Sequence, residues 1–98
     1  MITLASEPPM NQQRSGITPT QCRMARAALD WSTTDLARAA NVGVNSVNRF
    51  ETGRDARIST VEKLRSALEV AGVAFIAENG GGVGVRFREP KVKKQNKR

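Results

Sequence analysis

Between Thr33 and Gly53 the chain reads TTDLARAANVGVNSVNRFETG. Apolar residues return every three or four positions on both sides of Asn41-Val42-Gly43, the spacing of one face of a helix. The tripeptide itself opposes a continuous helix. Asn tolerates a left-handed corner, and Gly costs about 1 kcal/mol in a helix interior. The stretch is therefore predicted to be two short helices, about 33–40 and 44–51, separated by a tight turn. Leu36, Ala40, Val42, Val47 and Phe50 are apolar where the two must share a core, and Ala37 is small where they cross. The second helix carries polar Asn45, Ser46, Asn48 and Arg49, and has no carboxylate until Glu51. Two helices joined steeply by so short a turn form a helix-turn-helix.

The flanking sequence supplies more starts and stops. Thr18 reads as an N-cap, with Pro19 at the first helical position and Gln21 at the third. The first helix is expected over about 19–30, with Cys22, Ala25 and Leu29 on its inner face. Ile17 before the cap is placed to staple onto Cys22. Ser32 and Asp35 repeat the device for the second helix, with Trp31 stapling onto Leu36. Ser59 and Glu62 form a third S-x-x-E pattern, so a fourth helix is expected over about 60–71, ended by Gly72. Its apolar stripe is Val61, Leu64 and Leu68. Beyond Gly72 the period falls to two. VAFIA and VGVRFR, joined by ENGGG, read as a hairpin over about 73–88 with one apolar and one basic face. The expected fold is mainly α, with four to five helices and a C-terminal β-hairpin.

The chain has 98 residues and a net charge of +7, from 16 Lys and Arg against 9 Asp and Glu. Such a length suggests one domain. The charge favours a polyanionic partner. The last ten residues, EPKVKKQNKR, carry +4 of it, which leaves +3 for residues 1–88. Residues 89–98 are expected to be a disordered basic tail, and residues 1–16 a flexible leader. One cysteine excludes an intramolecular disulfide framework and a multi-cysteine zinc site. Histidine and tyrosine are absent, so catalysis has little support; no enzyme activity, cofactor or metal is expected. Cys22 is assigned to core packing. NGGGVG lacks the Lys-Ser/Thr that follows in a phosphate loop and sits in a hairpin, so it reads as a turn. No apolar run reaches membrane-spanning length and no signal peptide is visible, which places the expected location in the cytoplasm.

Residues 17–71 resemble the phage-repressor-like (Xre or Cro/C1 type) helix-turn-helix family. Through the hairpin, the chain is similar to small bacterial regulators of that family. Their start, R-x-L-L-G-W-S-Q-x-x-L-A, stands here as RAALDWSTTDLA, and their F-I-x-E-N-G-G-G-x-G-V-R hairpin as FIAENGGGVGVR. The resemblance implies an ion pair between Arg26 and Glu51, tying the recognition helix to its support. It also implies a sequence-specific bacterial transcription regulator, a repressor or autoregulator, acting at the nucleoid. Among the departures from the pattern, Asp30 replaces a glycine, and Thr33 replaces a glutamine that often helps bind phosphate.

The third helix, 44–51, would then enter the major groove of double-stranded DNA. Val44, Asn45, Asn48 and Arg49 fall where base edges lie. Asn pairs with adenine, Arg with guanine, and Val packs on a thymine methyl. Ser32, Thr33, Ser46, Thr52, Arg54 and Arg57 are the candidate phosphate ligands. One such helix spans few base pairs, so a homodimer on a two-fold operator is expected. Phe75, Ile76, Val85 and Phe87 of the hairpin are its candidate interface, whether by strand pairing or otherwise. The alternative is a protein-interaction module, such as an antitoxin or anti-activator on the same scaffold. RNA is a weaker partner, since no aromatic platform is visible.

Overall fold

The computed structural model describes residues 16–78 and 80–89. Residues 1–15, and residues 90–98 of the basic tail, lie outside them. The order is α1 (Pro19–Leu29), α2 (Thr33–Ala40), α3 (Val44–Glu51), α4 (Ile58–Val70), β1 (Val73–Ile76) and β2 (Gly84–Phe87).

Two of the three expected capping boxes form. The Thr18 hydroxyl accepts from the Gln21 amide at 3.0 Å, and the Gln21 side chain accepts from the Thr18 amide at 3.0 Å. Ser32 and Asp35 exchange the same pair of bonds at 3.0 and 2.9 Å. The bond from the Ser32 amide, and then the Ser32 side chain, hold the Asp35 carboxyl below its usual range. Each box satisfies amides that a helix start leaves without partners.

The helix ends share a device too. Asp30, Asn41, Gly53 and Gly72 all have positive φ. After Asp30, Asn41 and Gly53, the next amide reaches back five residues: Trp31 to Arg26, Val42 to Ala37, Arg54 to Arg49. This is the Schellman closure, in which a left-handed residue turns the chain off the helix axis. It also explains why glycine is usual at position 30. Asp30 pays a left-handed penalty that glycine does not. Asp30→Gly is accordingly expected to raise stability by about 0.5 kcal/mol, part of the gain being offset by the freer unfolded chain. A lowered melting temperature would contradict this.

The third expected cap does not form. α4 begins at Ile58, with extended Arg57 at its N-cap position and no side-chain capping bond. The Arg57 carbonyl already accepts from the Thr60 and Val61 amides. Ser59 is therefore inside the helix, where its hydroxyl cannot play the cap. The pattern located the helix but not its first turn, because Leu64 and Leu68 set its phase and not its start.

Leu36, Leu64, Leu68, Val47, Val73 and Cys22 are fully buried and form the centre of the core with Ala25, Ala37, Ala40 and Phe50. Burying a Leu- or Val-sized side chain contributes about 1.5–3 kcal/mol. Ile17 belongs to this core, while Leu29, Trp31, Val42 and Val61 pack against it.

The hairpin closes within one chain. β1 and β2 are antiparallel, with Val73 opposite Phe87, Phe75 opposite Val85, and Ile76 opposite Gly84. Pairing continues through the Arg88 amide to the Gly72 carbonyl at 2.9 Å. Because side chains alternate, Val73, Phe75, Val85 and Phe87 share one face, and Ala74, Ile76, Gly84 and Arg86 share the other. Val73 is buried, and Phe75 and Val85 pack on the helical core. The Arg65 guanidinium lies over the Phe75 ring, 5.7 Å from its centroid. The four hydrophobic residues expected at a dimer contact therefore do not make one patch. Ile76 faces away from the other three, and two of those, Phe75 and Val85, are partly buried against the helical core. A hairpin is marginal alone, and here the core supplies the support.

Candidate nucleic-acid interface

α3 has two turns and two unlike sides. Val47, Phe50 and Glu51 are buried; Val44, Asn45, Asn48 and Arg49 are exposed, and Ser46 is half-buried. The four residues expected to read bases thus share the outward side. No side chain caps the first turn, since Gly43 stands at the N-cap position. The outward side holds no carboxylate.

The one acidic residue of α3 is turned into the frame. Glu51 is 6% exposed and meets Arg26 in a two-pronged pair. Arg26 Nε donates to Oε2 at 2.8 Å and Nη2 to Oε1 at 2.7 Å. Nη1 of the same guanidinium donates to the Trp31 carbonyl at 3.1 Å, joining α1, α2's entry and α3. The carboxylate favours the protonated guanidinium and pushes the Arg26 pKa up. This is the ion pair that the resemblance implied.

Three contacts were not foreseen. The Cys22 thiol donates to Glu51 Oε2 at 3.2 Å, so this residue is a hydrogen-bond donor as well as core filling. Burial, and then that bond, push its pKa far up, leaving a thiol at neutral pH. Arg23 Nη1 donates to the Glu51 main-chain carbonyl. The Gln21 amide donates to the carbonyls of Ile76 and Gly84 at 3.0 and 2.9 Å, pinning the hairpin to α1. The sequence signalled Gln21 only as a cap residue.

The expected phosphate ligands divide. Ser32 is exposed at the start of α2; its oxygen accepts from the Asp35 amide, and its side chain also favours the charged Asp35 carboxylate. Thr33 is half-buried beside it. The Asp35 carboxylate, besides closing the capping box, puts a negative group at that helix end. Thr52 donates its hydroxyl proton to the Asn48 and Arg49 carbonyls at 2.9 and 3.2 Å, so it closes α3. Ser46, Arg49 and Arg57 are brought together in a cleft of about 410 Å³, whose lining includes Asp55 and Thr60. Arg54 is exposed and does not line it.

Among the described residues no cluster of His, Cys, Asp and Glu could hold a metal ion. None of their helices is long and apolar enough to cross a membrane. No curated protein matches the chain. A helix-turn-helix family model (HTH_3) matches residues 23–74, over half of the chain, and covers α1 from Arg23 through the first residues of β1. With the two-helix corner at Asn41, the outward polar side of α3 and this match together, the chain belongs to the Xre/Cro-C1-like helix-turn-helix family of DNA-binding regulators.

Proposed function

We propose that the protein is a sequence-specific transcription regulator, a repressor or autoregulator, that binds a two-fold symmetric operator as a homodimer at the bacterial nucleoid. The observation that carries this reading is the asymmetry of α3. Its outward side is polar and cationic, while its only carboxylate is turned inward onto Arg26. A helix meant to face protein has no need to exclude acid from that side; one meant to face phosphate and base edges does.

In this reading Val44, Asn45, Asn48 and Arg49 contact bases. Ser32, Thr33, Ser46, Arg54 and Arg57 contact phosphate, and the hydroxyl of Thr52 serves the helix. The dimer forms through the hairpin, by its open edges and the side bearing Ile76, since the opposite side is partly occupied by the core.

The test is selection of duplexes from a random pool. A two-fold consensus is expected, with half-sites about one helical turn apart. Arg49→Ala is expected to lose about 1–3 kcal/mol of discrimination at one base position. Its folded content should be unchanged, because Arg49 is exposed. Equal affinity of mutant and parent for the consensus would remove the assigned role. Enrichment of no sequence at all would sink the regulator reading.

A further inference from the structure

The last four carbonyls of a helix lack intrahelical partners, and in α3 each can be traced. Asn48 O receives the Thr52 amide and hydroxyl. Arg49 O receives the Arg54 amide, and Phe50 O the Gly53 amide. Glu51 O is left, and it is taken by Arg23 from α1. The other prong of that guanidinium is steadied by the Thr20 hydroxyl at 3.3 Å. So the end of α3 is held at two separate points: the Glu51 side chain by Arg26 and Cys22, and the Glu51 main chain by Arg23.

We propose that Arg23 is a positioning residue for base reading: its bond to the Glu51 carbonyl sets the tilt of α3 and hence where the reading residues lie. The inference rests on the proposed reading of DNA by α3. Val47 and Phe50 attach this helix to the core, but apolar attraction is non-directional. Directional bonds are needed to set its axis. The Arg26 pair reaches the backbone of α3 through the Glu51 side-chain torsions, whereas the Arg23 bond is made to the main chain of α3 itself. Asn45 lies six residues from Glu51, about 9 Å along the axis, so a tilt of about 10° moves it by about 1.6 Å. A paired hydrogen bond to a base edge does not survive such a displacement.

Arg23 is exposed, and its charge invites the rival role of phosphate ligand. The two roles separate experimentally. The probes are the duplex selected by the unaltered chain and a random-sequence duplex of equal length. For Arg23→Met, preference for the selected duplex is expected to fall about tenfold. Affinity for the random duplex, and its salt dependence, should stay as they were. Arg23→Lys, which keeps one donor, should restore most of the preference. A parallel loss on both duplexes, with a salt slope shallower by about one, would make Arg23 a phosphate ligand and overturn the proposal. A melting temperature that falls while preference is kept would also overturn it. If Arg23→Met does not fold, Thr20→Val at the exposed second anchor decides. Preference should then fall about twofold, and an unchanged preference refutes the role. Should the unaltered chain select no consensus, base reading by α3 fails first and this inference with it. A consensus bound equally well by Arg23→Met removes the positioning role alone.

Discussion

Arg26→Ala is expected to destabilise the fold by about 3–5 kcal/mol, because it leaves a buried carboxylate without its cation. Glu51 is 6% exposed, and the Arg26 side chain that covers it is itself only 19% exposed. The Cys22 thiol would remain as the carboxylate's one side-chain donor. Small domains have about 5–15 kcal/mol in total, so much of the folded population is at stake. Urea titration followed by Trp31 fluorescence measures the loss, since the Trp31 carbonyl is also held by Arg26. The double change Arg26→Met with Glu51→Leu should recover most of the stability, because it removes both charges at once. It should not recover DNA preference if a directional tie is what orients α3. A loss under about 1 kcal/mol for Arg26→Ala would mean that the carboxylate is solvated after all.

Gln21→Leu comes next, at about 2–3 kcal/mol, because it strands several polar groups at once. The Thr18 amide loses its acceptor, and the Ile76 and Gly84 carbonyls lose their shared donor. Gln21→Glu separates these effects. A carboxylate still accepts from Thr18 but offers two carbonyls no proton. Both variants are expected to speed amide exchange across β1 and β2 while α2 and α3 stay protected, the signature of local opening. Gln21→Glu with parental exchange in the hairpin would show that the carbonyl bridge carries no weight. If the hairpin joins two subunits, both variants should also weaken the dimer, which sedimentation at several concentrations would report.

Gln21 also illustrates how far the sequence could be read. Its role as a cap is a three-residue pattern, and the structure has it. Its grip on the hairpin spans 55 and 63 residues, and no local pattern encodes that. Cys22 divides the same way. Its place on the inner face of α1 follows from spacing, but its donor role depends on Glu51 arriving from α3. The Arg26–Glu51 pair was available only through family resemblance, because two charges 25 residues apart carry no periodicity. The start of α4 went the other way. A legible Ser-x-x-Glu signal was present, and the backbone entered the helix before reaching it.

What the sequence determined by itself is everything settled within a turn or two of chain. The stops at Asp30, Asn41, Gly53 and Gly72 need residues that accept a left-handed backbone. The caps at Thr18 and Ser32 need an oxygen three residues before an amide. The outward side of α3 and the alternation of the strands follow from helical and pleated periods. Tertiary structure decided the directional contacts: Arg23 on the Glu51 carbonyl, Cys22 on its carboxylate, Gln21 across the hairpin, and Ile76 turned away from Phe75. The reason is physical. Backbone preference and apolar period act between near neighbours, whereas a hydrogen bond needs two groups within about 3 Å and in line. Only the packed core brings residues from different helices to that distance.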